Sequence, residues 1–175
     1  MTPKTAITRA LSNYATFSGR AVRAEYWWFA LFFLVGGLLL GVVDATLFGT
    51  NVATTRTGDG AASLVLRGAS GPISTIFSLA LIVPFLAVGW RRMHDTGRRG
   101  LYLLYPFIVM IGLTAFLDLA GPALERASTG IVFTALAGIG LFALALSPLV
   151  VFYWLSRPSE PRENQWGPVP AEAAS

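Results

Sequence analysis

Seven residues in two short segments have the types and spacing to hold an anion. Arg20, Arg23 and Glu25 lie in Ser18-Gly-Arg-Ala-Val-Arg-Ala-Glu-Tyr-Trp27. Arg91, Arg92, His94 and Asp95 lie in Trp90-Arg-Arg-Met-His-Asp-Thr-Gly-Arg-Arg99. A guanidinium presents a planar fork that meets a carboxylate or phosphate with two parallel hydrogen bonds. Lysine would supply charge equally well, yet twelve of the thirteen basic residues are arginine. That choice favours fork recognition over charge alone, although a GC-rich genome biases the count the same way. The expected ligand is an anionic lipid, a small anionic ligand or an acidic partner segment.

The pair His94-Asp95 invites an enzymatic reading, which the rest of the sequence does not support. The chain has one histidine and no cysteine, so neither a multi-histidine nor a thiolate metal site can be built. No Gly-x-Ser-x-Gly turn is present to expose a serine nucleophile. No catalytic residue, metal or cofactor is therefore expected. His94 and Asp95 instead read as a helix end: Asp95 and Thr96 can satisfy terminal backbone groups, and Gly97 permits a left-handed turn.

Both arginine segments abut long apolar runs, and these set the fold class. Hydrophobic residues make up 54% of the 175 and charged residues only 13%, too apolar for an ordinary soluble domain. Four runs, Trp27–Val43, Ile73–Trp90, Leu101–Leu117 and Ile131–Leu155, reach or approach the ~20 residues that cross a bilayer. None shows the polar stripe of a soluble helix. The expectation is an all-α polytopic membrane protein: one domain over 1–175, with four transmembrane helices at about 27–47, 73–91, 101–120 and 131–155. Residues 3–15 read as a short amphipathic interfacial helix, with Ile7, Leu11 and Tyr14 at helical spacing. The first run follows a polar lead and exceeds a signal-peptide core, so it reads as a retained anchor.

Charge sets orientation. Lys4, Arg9, Arg20, Arg23, Arg91, Arg92, Arg98, Arg99, Arg157 and Arg162 fall on one side; Arg56, Arg67 and Arg126 fall on the other. The positive-inside rule then places residues 1–25, the Arg91–Gly100 connection and the 156–175 tail in the cytoplasm. The basic residues lie between spans rather than on one soluble face. A bilayer with anionic lipid is thus the expected partner, and nucleic acid is not.

Smaller features carry further expectations. Ser18 is placed to cap the first span, leaving Arg20 and Arg23 on one helical face. Pro84, Pro106 and Pro148 interrupt spans at similar heights and free the carbonyls of Ala80, Tyr102 and Leu144. They read as kinks, or more sharply as a shared widening of the bundle. Asp44 and Asp118 lie near the outer span ends and read as interfacial in preference to a cation or proton site. Gly37 and Gly41 permit close helix approach within the bundle or in a homo-oligomer. The Gly49–Gly71 loop reads as irregular, with local folding possible over Ala61–Leu66. Gly121–Gly130 reads as a turn, and the proline-rich tail from Pro158 as extended.

Three motifs in order carry a family resemblance. Phe17-Ser-Gly-Arg20-x-x-Arg23-x-Glu25-Tyr26-Trp27, Arg91-Arg92-x-His94-Asp95-x-Gly97 and Asn164-Gln-Trp166-Gly167-Pro168-x-Pro170 span nearly the whole chain. Together they resemble the bacterial family called domain of unknown function 805. The chain departs from it at Arg99-Gly100-Leu101, where Ser-Gly-Trp is expected, with Tyr102 as the nearest aromatic. The resemblance implies a small inner-membrane protein and brings no established activity. All three motifs fall on the side assigned to the cytoplasm, which points to one assembled cluster. Three functions compete: an anion-binding membrane protein, a small dimeric carrier coupled through Asp44 or Asp118, and a lipid head-group enzyme using His94.

Overall fold

The computed structural model describes residues 1–49, 53–56, 62–65, 71–126 and 130–171. Its helices are α1 (Pro3–Ser12), α2 (Arg23–Phe48), α3 (Pro72–Asp95), α4 (Tyr105–Arg126) and α5 (Gly130–Ser156). Strands β1 (Ala53–Arg56) and β2 (Ala62–Val65) pair antiparallel between α2 and α3. The connection expected to be irregular thus carries a short hairpin, and Ala62–Val65 falls within the segment singled out for local folding. Among the described residues, α2, α3 and the Thr134–Ser156 part of α5 are long and apolar enough to cross a bilayer. The fourth apolar helical stretch, Gly100–Phe116, is shorter.

Helices α2 and α3 pack as one antiparallel pair, and α4 and α5 as another. Phe33 stacks on Phe77 and Phe85 along the first pair. Gly36 is what lets α2 approach, since a Cβ there would lie 2.5 Å from Phe77. Gly37 does not take that role. A Cβ on it would meet nothing within 4 Å, and with Gly41 it lines an open groove of about 730 Å³ beside α3. The pairs meet at the arginine-rich end, where Trp27 of α2 touches Phe152 of α5 and Val151 and Leu155 join Tyr26, Phe29, Val88 and Met93 in the core. Helix α1 buries Ala6 and Ala10 there, whereas Leu11 and Tyr14, expected on the apolar face, are exposed. The small alanines let α1 approach α2 closely, which moves the buried stripe off the larger residues.

The prolines do not act alike. Pro106 is the second residue of α4, behind a 3₁₀ turn over Gly100–Leu104, so it starts a helix instead of kinking one. Only glycine fits the start of this turn, since a Cβ on Gly100 would lie 2.1 Å from the Trp90 indole. Pro84 and Pro148 do lie inside their helices. Both freed carbonyls are recovered by side chains: the Tyr14 hydroxyl donates to Ala80, and Ser147 donates to Leu144 at 2.8 Å. In hydrocarbon an unpaired carbonyl costs several kcal/mol, so these bonds allow the prolines. No shared widening is needed.

Further corrections concern helix ends. Ser18 does not cap α2, which begins only at Arg23 behind the extended residue Val22. Arg20 therefore precedes the helix and cannot share its face with Arg23. Asp44 lies level with the first turn of α3, near the helix ends, and its carboxylate is committed to backbone amides. It is buried, and its two oxygens accept the amides of Ile73 (3.1 Å) and Ser74 (2.7 Å), capping α3 from a neighbouring helix. Gly71 makes room, since a Cβ would lie 2.4 Å from the Asp44 side chain. Asp118 is exposed. Helix α4 continues to Arg126 where a turn from Gly121 was expected, because a much shorter connection suffices for an antiparallel pair. Residues 158–170 of the tail are non-helical as expected, with a tight turn at Asn164–Gly167.

If Tyr14 supports Pro84, Tyr14→Phe should destabilise the protein by ~1–3 kcal/mol. Pro84→Ala in the same background should recover most of that loss, because the restored amide pairs with Ala80 again. Unfolding titrations on both variants and the double mutant check this; additive losses would show that the two residues act independently.

Candidate functional site

The Asp95 carboxylate is the centre of the arginine-rich end. Helix α3 delivers it in its last turn, one turn beyond Arg92, so the two side chains share a face. Arg92 NH1 donates to Asp95 Oδ2, Arg20 Nε donates to Oδ1 at 3.0 Å, and the Ser159 hydroxyl donates to Oδ2. Asp95 and Arg92 are both fully buried. Segments far apart in sequence thus converge on one charge.

The remaining donors of both guanidiniums go to backbone carbonyls. Arg92 reaches Leu155 from Nε at 3.0 Å, Ala21 from NH1 at 3.5 Å and Arg157 from NH2. Arg20 reaches Arg162 (2.8 Å) and Gly167 (3.4 Å) from NH1 and Glu160 (2.7 Å) from NH2. These two forks hold the end of α5 and the tail in place of an external anion.

A second ionic group lies alongside. Glu25, buried in the first turn of α2, meets Arg91 NH1 at 3.0 Å and Arg9 of α1 at 3.6 Å. Arg91 is buried, and its Nε and NH2 have no hydrogen-bond partner among the described residues. Its carbonyl accepts the Ala21 amide at 3.1 Å, tying the extended approach to α2 onto α3. Arg23 is exposed and makes no ion pair among the described residues.

His94 and the tail form a third contact. The imidazole donates from Nδ1 to the Gly19 carbonyl at 3.1 Å, and its face stacks on Trp166 with centroids 4.6 Å apart. Asn164 donates to the His94 carbonyl (3.0 Å) and to Glu160 Oε2 (2.8 Å), and accepts the Trp166 amide (3.1 Å). The helix end closes in part as expected, with Thr96 Oγ1 bonded to the Met93 carbonyl at 2.9 Å and Gly97 at φ 74°. The Asp95 side chain, expected to satisfy terminal backbone groups, is instead taken by Arg20, Arg92 and Ser159. All three sequence motifs therefore meet in space.

A family model described as "Protein of unknown function (DUF805)" matches residues 14–168, which include the first two converging segments and Asn164–Pro168 of the third. The chain belongs to the DUF805 family. It is 34% identical over 116 residues to "Inner membrane protein YhaH" of Escherichia coli K12, covering 65% of this chain and 84% of that protein. It is also 34% identical over 102 residues to "Inner membrane protein YhaI" of the same strain, covering 58% and 70% respectively. No solved structure matches the chain.

This DUF805 protein also has a cavity that the sequence did not reveal. It measures about 400 Å³ and lies between the turn after α3, the end of α5 and the tail, lined by Arg98, Arg99, Tyr102, Trp154, Gln165 and Trp166 with Gly97 at its edge. Arg98 lies over the Trp154 ring at 5.2 Å and donates from NH1 to the Thr96 carbonyl at 2.9 Å. Burial, and then the charge of nearby Arg157, hold the Arg98 guanidinium below its ordinary pKa. Sequence reasoning also missed Arg9, Ser159 and Asn164 as partners. Only the Asn164-Gln-Trp-Gly turn left a signal there.

Breaking the central charge should be costly. Asp95→Asn strands two buried guanidiniums and should destabilise by ~3–5 kcal/mol. Ser159→Ala removes one neutral donor and should cost ~1 kcal/mol. Denaturant unfolding in mild detergent checks both, and equal effects would mean that the Asp95 site is wet.

Proposed function

We propose that this DUF805 protein is an integral inner-membrane protein whose cytoplasmic arginine-rich end binds an anionic group. Helix α4 completes a set of four spans with α2, α3 and α5, α1 lies at the inner interface, and both termini and the turn after α3 are cytoplasmic. The names of the Escherichia coli relatives support the membrane, and the concentration of arginine at one end of the helices supports the orientation. A homo-oligomer through Gly37 and Gly41 is compatible with the open groove there.

The observation that carries the binding proposal is the contrast between two sets of arginines. Arg20, Arg91 and Arg92 are met by Asp95 and Glu25, and Arg20 and Arg92 are further occupied by carbonyls. Arg98 and Arg99 instead face a cavity whose lining contains no carboxylate. In this reading Arg20, Glu25, Arg91, Arg92, His94 and Asp95 build and support the site, Arg23 adds exposed charge beside it, and Arg98 and Arg99 meet the ligand. A coupling role for Asp44 loses support, because both its oxygens are committed to the α3 amides.

Two measurements test these claims. Single cysteines at Ser12, Ser63, Arg99 and Glu163 should react with an impermeant thiol reagent in spheroplasts only at Ser63. Reaction at Arg99 without permeabilisation would overturn the orientation. Native mass spectrometry of gently extracted protein should show retained anion, reduced by Arg98→Lys or Arg99→Lys because lysine lacks the fork. Full retention in both would leave these arginines as anchors.

A further inference from the structure

The cavity is built from two parts of the chain that meet beside the end of α3. One wall is the Gly97–Tyr102 turn with Trp154. The other is Gln165 and Trp166 of the tail. Trp166 is positioned by its stack on His94 and by Asn164, whose amide side chain holds both the Trp166 backbone and the His94 carbonyl. Asn164 does not line the cavity, yet it sets where that wall stands.

The walls narrow the ligand class. Arg98 and Arg99 bring two guanidinium charges to one volume, with Arg157 close to Arg98. The Glu160 carboxylate lies against Gly97 and is held by Asn164, and it is not part of the lining. A single planar carboxylate is served by one fork, whereas a phosphate spreads its acceptor oxygens over a tetrahedron and meets two forks at once. The aromatic surfaces of Tyr102, Trp154 and Trp166 suit carbon-bearing groups, and the cavity is large enough for a phosphate with an organic ester. Trp154 lies in the last turn of α5, the height at which bilayer head groups meet aromatic belts.

Building on the proposed anion site, we infer that its ligand is a phosphate ester clasped between Arg98–Arg99 and the tail, so that binding and tail docking form one equilibrium. The ester is either a lipid head group or a soluble organophosphate, and the chemistry at the arginines is the same for both. Linkage then makes the effect reciprocal: whatever loosens the tail weakens the ligand, and the ligand protects the tail.

The test uses the full chain in phosphatidylcholine nanodiscs, with glycerol 3-phosphate as the soluble probe and nanodiscs containing phosphatidylglycerol as the lipid probe. A cysteine at Ser159, half-buried against Asp95 when the tail is docked, reports tail undocking by its rate of thiol modification. The ligand should slow that rate on the order of tenfold, and Asn164→Ala should weaken glycerol 3-phosphate binding by a similar factor. Where Asn164→Ala does not fold, Asn164→Asp keeps the Trp166 acceptor, loses the donor to His94 and should show the same effect. Protection by glycerol 3-phosphate assigns a soluble ester, and protection by phosphatidylglycerol alone assigns a lipid head group. Succinate protecting as well as glycerol 3-phosphate would overturn the phosphate assignment. Binding that depends on Arg98 but ignores Asn164 would overturn the coupling and leave the anion site standing. Absence of binding by either phosphate probe would overturn both.

Discussion

A single buried carboxylate, Asp95, organises the arginine-rich end. Moving charges from water into a low-dielectric interior costs several kcal/mol per ion even after relaxation. The cost is offset only if every lone pair and donor finds a partner, and here Arg20, Arg92 and Ser159 fill the carboxylate. The unused donors of both arginines then fix backbone carbonyls of α5 and the tail. An apolar core could match this in stability but could not direct an irregular, proline-rich tail to one position. Directional bonds at 2.7–3.4 Å from Arg20 do that, where packing of alternating prolines and charges would not.

The same arrangement explains why so much charge sits beside apolar helices. Arg20, Arg91, Arg92, Glu25 and Asp95 are all buried, yet each lies at a helix end or in the adjoining extended segment. The two helix pairs touch mainly there, through Trp27 and Phe152 and through Gly89 beneath Leu103. Farther away their surfaces are dominated by exposed Leu38, Leu39, Val42, Ile139 and Phe142, the surface hydrocarbon would solvate. Polar bonding therefore joins the pairs where lipid cannot.

The sequence made the helices legible because each is an uninterrupted apolar run, and length alone identifies those. It made the charged end legible because arginine asymmetry is additive along the chain. Pairing was harder to read. The Arg20–Asp95 bond joins residues 75 apart and the Arg20–Glu160 bond residues 140 apart, separations that no local periodicity encodes. Local rules also misplaced the start of α2, because an extended segment bonded to Arg91 took precedence over the Ser18 cap. They misread Pro106, which lies in the first turn of α4 because a 3₁₀ turn over Gly100–Leu104 precedes that helix. The cavity was hidden for a related reason. Its arginines lie at the departure from the family pattern, and the tail that completes it is brought back by bonds from Arg20.

The Asp44 clasp bears on how freely the chain can change. Because α2 itself caps the first turn of α3, the register of the two helices is fixed below the connection that joins them. Whatever lies between Gly49 and Gly71 need only be long enough to bridge that gap. Insertions between β1 and β2, such as an epitope tag or a fluorescent reporter, should leave both helices where they are. The hairpin is thus the position where evolution or an experimenter can add length without disturbing the charged end.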